Sequence, residues 1–278
     1  MGEVEVLALA TDGSKYSDGA VQEAIFLGQA CGARLIIFHV ISIDTEMAIS
    51  AHATSSAARS ESKEYIQNIQ KMAEDSGIEC EVVIEESYQP DKTIVELGYQ
   101  HNVDVIIMGR HGKKGLLKLL VGSMTSKVIG HGFPLVLVVP RDFIITGQRI
   151  LLTTDGSINS ELAAEEAMSM GENCSTLEES YILAVATRED KLDKARQLAE
   201  SVCTKAKERA VETRCVPVAS VGRPSEVIAD MALEKNVDMI LIGGHGKGLT
   251  KLLMGHVTEK VIGRAHCAVL VVNKENGS

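Results

Sequence analysis

Short, nearly uninterrupted apolar runs alternate along this chain with longer stretches of helical period. In the first half the apolar runs are VEVLALA (4–10), RLIIFHV (34–40), ECEVVIE (79–85), VDVIIMG (103–109) and PLVLVV (134–139). Between them SDGAVQEAIFLGQACG (17–32), the stretch around SKEYIQNIQKMAEDSG (62–77), PDKTIVELGYQ (90–100) and the segment after Gly122 read as helices. The second half follows with RILLTT, SYILAVA, RCVPVAS, VDMILIG and AVLVV. Strands this apolar, separated by amphipathic helices, predict a parallel sheet covered on both faces. Right-handed crossovers then limit the fold to a doubly wound α/β domain of five strands.

The same words recur in the same order. TDGS stands at Thr11–Ser14 and again at Thr154–Ser157, an offset of 143, and VDVIIMG returns as VDMILIG. GLLKLLVGSMTSKVIG returns as GLTKLLMGHVTEKVIG. A period this long, seen twice, is a domain duplication and not a solenoid. The seam falls near Ile145–Gln148, dividing the chain into domains at 1–145 and 146–278. The stretch from Ile43 to Ser62 has no counterpart of equal length in the second half, and reads either as a lid over a ligand or as a tolerated insertion.

Composition narrows the function. At 278 residues and 45% apolar content, each half has material for its own core. A net charge of −10 argues against non-specific binding to nucleic acid or an anionic membrane. With no Trp, four Phe and five Tyr, stacking platforms for single strands are hard to assemble. The opening MGEVEVLALA carries no leader or myristoylation pattern, and no apolar run approaches the roughly 18 residues of a membrane span. A soluble, cytoplasmic protein is expected. Cys31, Cys80, Cys174, Cys203, Cys215 and Cys267 form no C-x-x-C pair and are expected to be reduced and mostly buried. Cys31 falls on Cys174 and Cys80 on Cys215 between the copies.

Chemistry concentrates in GRHGKKGLLKLLVGS (109–123). Gly109 closes an apolar run, Gly112 lies three residues on, and Gly122-Ser123 opens the next helix. Glycines remove Cβ atoms where backbone turns sharply or approaches a bulky anion, and a helix start presents free N–H groups. Lys113, Lys114 and Lys118 reverse the sign of an otherwise acidic chain. Spacing alone leaves two readings open: an anion cradle, or a solvated loop with Ser123 as a helix cap. A Walker loop is excluded, since GGHGKGLT (243–250) has Leu249 where lysine is required, and G-x-G-x-x-G occurs in neither loop. Asp12 and Asp155, just past the first strand of each half, stand ready to accept from ribose hydroxyls or to cap the following helix.

Gly109-x2-Gly112-x9-Gly122-Ser123, with TDGS after the first strand, FHV in the second and GRPSEVI (222–228) in the second copy, resembles the ATP-binding signature of the universal stress protein family in its tandem form. The resemblance covers nearly the whole chain and implies an adenine nucleotide alpha-hydrolase-like fold. It implies that the backbone around Ala10, Thr11 and Asp12 holds adenosine, with Asp12 on the ribose, and that Val40 reads the adenine edge. Met108 and Gly109 would line base and ribose, while Gly112, Gly122, Ser123 and Thr125 wrap the phosphates of ATP. Mg²⁺ would bridge phosphate oxygens without a protein side chain. The second copy departs from the pattern: eight residues separate Gly246 from Gly255, and His256 replaces the serine. Thr154, Asp155, Val185, Gly243, Gly246, Gly255, His256 and Thr258 hold the matching positions, for a second nucleotide site or a purely structural copy.

The expectation for function is a nucleotide-dependent stress sensor or regulator acting on an unidentified protein partner, with slow ATP hydrolysis at most. The alternative is an interaction scaffold of the same fold that binds no nucleotide. His111 and His245 lie in the loops, but no His or carboxylate is clearly placed to orient water. PLVLVV and AVLVV would be exposed apolar edges if unpaired, so they are expected to pair with each other inside the chain as a pseudo-dimer. Whole chains could further associate as a homodimer.

Overall fold

The computed structural model describes residues 4–43, 54–111, 121–209, 211, 213–245 and 254–274. The first half runs β1 (Val6–Ala10), α1 (Asp18–Cys31), β2 (Arg34–Ser42), α2 (Thr54–Asp75), β3 (Cys80–Ser87), α3 (Pro90–Gln100), β4 (Val105–Gly109), α4 (Ser123–Gly130) and β5 (Leu135–Val139). The second runs β6 (Arg149–Thr153), α5 (Ile158–Asn173), β7 (Glu179–Ala186), α6 (Leu192–Glu208), β8 (Arg214–Val221), α7 (Pro224–Glu234), β9 (Met239–Gly243), α8 (His256–Arg264) and β10 (Ala268–Val272).

All ten strands form one sheet in the order β3-β2-β1-β4-β5-β10-β9-β6-β7-β8. Within each half the pairings are parallel, and the halves join where β5 and β10 run antiparallel, with Val138 opposite Val269. The predicted internal pseudo-dimer is therefore the arrangement found. The edges left are β3, carrying Glu81, Glu85 and Glu86, and β8, carrying Pro217. Charge and proline blunt an edge against further pairing.

Because successive side chains of a strand point to opposite faces, each strand feeds two cores. Leu7, Leu9, Ile107 and Leu137 join Leu152, Leu241 and Leu270 under α1, α2, α5 and α6. Ala8, Ile36, Ile106 and Val138 join Leu151, Ile240 and Val269 on the other face. Both cores cross the seam without a break.

Two boundaries differ from the sequence reading. β2 continues through Ser42, so Val40 lies inside the strand, since its pairing with β3 extends to Ser42–Ser87. α2 begins at Thr54, ahead of the stretch around 62–77 read as its helix, because Ala and Ser residues suit a helix as well as a loop; residues 44–53 lie outside the described residues.

The cysteine expectation is corrected. Cys203 of α6 and Cys215 of β8 form a disulfide with a Cα–Cα distance of 5.6 Å. Packing of α6 along β8 brings the two together, which no spacing rule reveals. Of the free thiols, Cys267 is buried, Cys80 and Cys174 are half-buried, and Cys31 is exposed. Burial pushes the Cys267 thiol up to about 12 and Cys80 up to about 11.

Candidate functional site

In the order 3-2-1-4-5 the strand order reverses between β1 and β4, and in a doubly wound sheet ligands bind beyond the carboxyl ends of the strands at that point. The chain leaves β1 through Thr11, which is buried. Its N–H donates to the Phe38 carbonyl at 3.0 Å, and its own carbonyl lies 3.0 Å from His39 Nδ1. Its hydroxyl donates to Ser17 Oγ at 2.9 Å and accepts the Gly13 N–H at 3.1 Å. Gly13 takes φ +70°, and a Cβ there would lie 2.8 Å from Ser62 Cβ, so α2 presses directly on the turn. His39 was not among the predicted site residues; its position inside FHV was the only signal for it.

Asp12 is exposed and accepts from the Ser14 hydroxyl. It does not cap α1, whose N-cap is Ser17. In the second copy Asp155 Oδ1 accepts the Ser157 N–H at 2.9 Å, and Ser157 caps α5. The helix-cap reading of both aspartates is thus replaced by one in which each organises its own turn.

β4 ends at Gly109, beside the first turn of the chain after β1. A Cβ on Gly109 would sit 3.1 Å from the Tyr16 carbonyl, and one on Gly243 would sit 2.8 Å from Asn159 Cβ and 3.0 Å from its backbone carbon. The neighbouring chain crowds both positions, Gly243 more tightly than Gly109. Gly243→Ala is expected to lower stability by about 1–3 kcal/mol, read as a shift of the urea midpoint; an unchanged midpoint would refute the contact.

α4 starts at Ser123, and its N-cap is Gly122 (φ −58°, ψ 139°) with no side-chain cap bond. Ser123 is therefore the first helical residue, exposed, and not the cap foreseen as an alternative. The Gly122 N–H donates to the Arg110 carbonyl at 2.8 Å, and buried Thr125 donates its hydroxyl to the Gly109 carbonyl at 3.0 Å. Among the described residues the N–H groups of Ser123, Met124 and Thr125 have no backbone acceptor. At its far end α4 is tied to α3 through His131 Nε2, 2.7 Å from Asp91 Oδ2. Burial alone would raise the Asp91 pKa, but its bonds to His131 and a backbone N–H, with Lys127 nearby, hold it below the usual carboxylate range.

The second copy repeats this frame despite the lost residue. Gly255 (φ −60°, ψ 137°) is the N-cap of α8, its N–H donates to Gly244 O at 2.8 Å, and Thr258 donates to Gly243 O at 2.8 Å. His256 is exposed at the Ser123 position. Thr154 is buried at the end of β6, and Val185 is half-buried in β7. In the first copy Ala10, Thr11, Asp12, Met108, Gly109, Gly122, Ser123 and Thr125 stand at the ends of β1 and β4 and the start of α4, with Val40 in neighbouring β2. Gly112 and Gly246, with the loop lysines, lie outside the described residues.

The sequence profile of the universal stress protein family matches residues 4–140 and again 147–273. The chain belongs to the universal stress protein family. It carries the family domain twice. A universal stress protein of Synechocystis is 29% identical over 146 residues, covering 47% of this chain and 94% of the relative. One from Methanocaldococcus jannaschii is 30% identical over 139 residues, covering 49% of this chain and 81% of the relative. The crystal structure of a universal stress protein from Archaeoglobus fulgidus superposes with a TM-score of 0.76 at 20% identity, over 97% of this chain and 98% of that one. Among the described residues no helix is long and apolar enough to cross a membrane.

Proposed function

We propose that this tandem universal stress protein binds ATP in its first domain, at the carboxyl ends of β1 and β4, and that occupancy alters its binding of a protein partner. The observation that carries the reading is the bare start of α4. Among the described residues, a glycine N-cap with no capping side chain leaves the first-turn N–H groups and the positive end of the helix dipole for an anion. One exposed charge gains only about 0.3–1 kcal/mol from such a dipole, so several donors must converge on a polyphosphate. The main-chain N–H groups of Ser123, Met124 and Thr125, together with the Ser123 hydroxyl, form such a donor set.

In this reading Asp12 accepts from the ribose, the main chain at Ala10, Thr11 and Val40 meets the nucleoside, and Met108 and Gly109 line it. The Thr11 bonds to Phe38 and His39 hold that wall rigid against β2. Mg²⁺ bound to the phosphates would neutralise charge that the protein leaves uncompensated. The second copy keeps the same N-cap geometry, so it is assigned the same ligand class with a different phosphate contact at His256. Hydrolysis, where it occurs, is slow.

Gly122→Val tests the site. Its φ and ψ are open to any L-residue, so the variant keeps the backbone while placing a branched side chain at the helix start. Wild type is expected to bind MgATP by calorimetry, with the variant weaker by about tenfold or more, equivalent to losing about 1.4 kcal/mol. Unaltered affinity would place any nucleotide elsewhere; no binding to wild type would favour the nucleotide-free scaffold.

A further inference from the structure

We propose that Arg110 is a positioning residue that couples the first-domain site at the ends of β1 and β4 and the start of α4 to the second domain, so that α8 responds to what that site holds. This rests on the reading of that site as a nucleotide site.

The main chain of Arg110 ties the end of β4 to the start of α4. Its N–H donates to Val139 O at 3.0 Å, and its carbonyl accepts the Gly122 N–H at 2.8 Å. Its side chain leaves the domain. Nη1 donates to Ala265 O at 2.6 Å and to Ile262 O at 3.4 Å. These carbonyls lie at the end of α8, where a helix leaves unpaired acceptors and the negative end of its dipole. Nε is buried with no hydrogen-bond partner among the described residues, in a residue that is half-buried overall. At its other end α8 carries Gly255 and Thr258, which donate to Gly244 O and Gly243 O at the end of β9. One helix of nine residues therefore joins the Arg110 side chain to the end of β9.

The return contact uses different chemistry. Gly244, at the position of Arg110, makes the same two main-chain bonds, to Val272 O at 2.9 Å and from the Gly255 N–H at 2.8 Å. Having no side chain, it leaves room for Asn273, whose Oδ1 a Cβ on Gly244 would strike. Asn273 Nδ2 donates to Phe133 O at 2.9 Å and its N–H to Pro134 O at 2.8 Å, on the segment after α4. Each domain thus holds the exit of the other's last helix, by a planar cation in one direction and by a neutral amide in the other. Any shift of the end of β4 or the start of α4 on binding displaces a guanidinium already bonded to α8, and this shared element is the physical link that coupling requires.

Hydrogen exchange of residues 256–264, with and without MgATP, tests the claim on wild type, Arg110→Met and Arg110→Lys. In wild type MgATP is expected to slow exchange in α8 by about fivefold or more. The methionine variant should still bind MgATP by calorimetry while α8 no longer responds, and lysine should restore part of the response. MgATP binding to wild type with α8 unmoved would overturn the coupling alone, as would an equal response in the methionine variant. Absence of MgATP binding to wild type would overturn the nucleotide reading and the coupling together. The wild-type comparison decides the question whether or not the methionine variant folds.

Discussion

Asp238→Ala is expected to lower the unfolding free energy by about 3–5 kcal/mol, the largest loss foreseen for a single side chain here. Asp238 is buried just before β9 and accepts four hydrogen bonds from the segment that links the domains. Oδ1 takes the Thr146 N–H at 3.0 Å and the Thr146 hydroxyl at 2.7 Å. Oδ2 takes the N–H groups of Gln148 and Arg149, each at 2.9 Å. Alanine strands four donors at the point where the second domain begins. Asparagine keeps the shape but turns an NH₂ toward two of the donors, so it should recover only part of the loss. Among the described residues its counterpart in the first domain, Asp104, receives the Glu5 and Val6 N–H groups on Oδ2, two donors where Asp238 has four, and Asp104→Ala should cost less. Urea titration followed by circular dichroism measures both variants. Equal losses at the two positions would show that the linker contributes nothing beyond an ordinary strand start.

Glu23→Gln is expected to act in the opposite direction and to depend on pH. Glu23 lies on the buried face of α1, 2% exposed. Burial pushes its pKa from 4.5 up to about 8; a hydrogen bond with the Ile145 backbone works against that rise and the charge of Asp238 adds to it. The folded protein therefore keeps a proton on Glu23 that the unfolded chain releases above pH 4.5. The stability that this proton supplies is complete below pH 4.5, declines by about 1.4 kcal/mol per pH unit above it, and is gone once pH passes about 8. Glutamine, neutral at every pH, removes the decline. The variant should match wild type near pH 4 and exceed it by on the order of 2–4 kcal/mol at pH 8. Unfolding midpoints at pH 4.5, 6 and 8 give the test, and a difference independent of pH would show that Glu23 is not held protonated.

Both residues act on the same short linker. Gly19 adds a third restraint, since any Cβ there would strike the carbonyl of Pro140. The joint between the copies is thus packed, charged and hydrogen-bonded on several sides. This suits a protein in which the two domains share one sheet and two continuous cores.

Much of the architecture was legible because it is written in local periodicity. Runs such as VIIM and LVLVV can only be strands buried on two faces, and two unpaired copies of the last strand have one evident partner, each other. The turn at Thr11–Ser14 and the helix start at Gly122 were legible for a similar reason, since glycine and short polar residues have few conformational uses. Readings that depended on what a residue touches fared differently. Ser123 looked like a cap, but Gly122 occupies that position, and the aspartates of TDGS organise their turns and do not cap helices.

By itself the sequence determined the duplication, the fold class and the place where an anion would be sought, because these follow from local periodicity and from words that recur along the chain. Tertiary structure alone decided the Cys203–Cys215 bond, the crowding of Gly243 by Asn159, the burial that raises the Glu23 pKa and the reach of Arg110 to Ala265. Each of those depends on the surroundings of an atom, and these are set by elements distant along the chain whose approach no local pattern encodes.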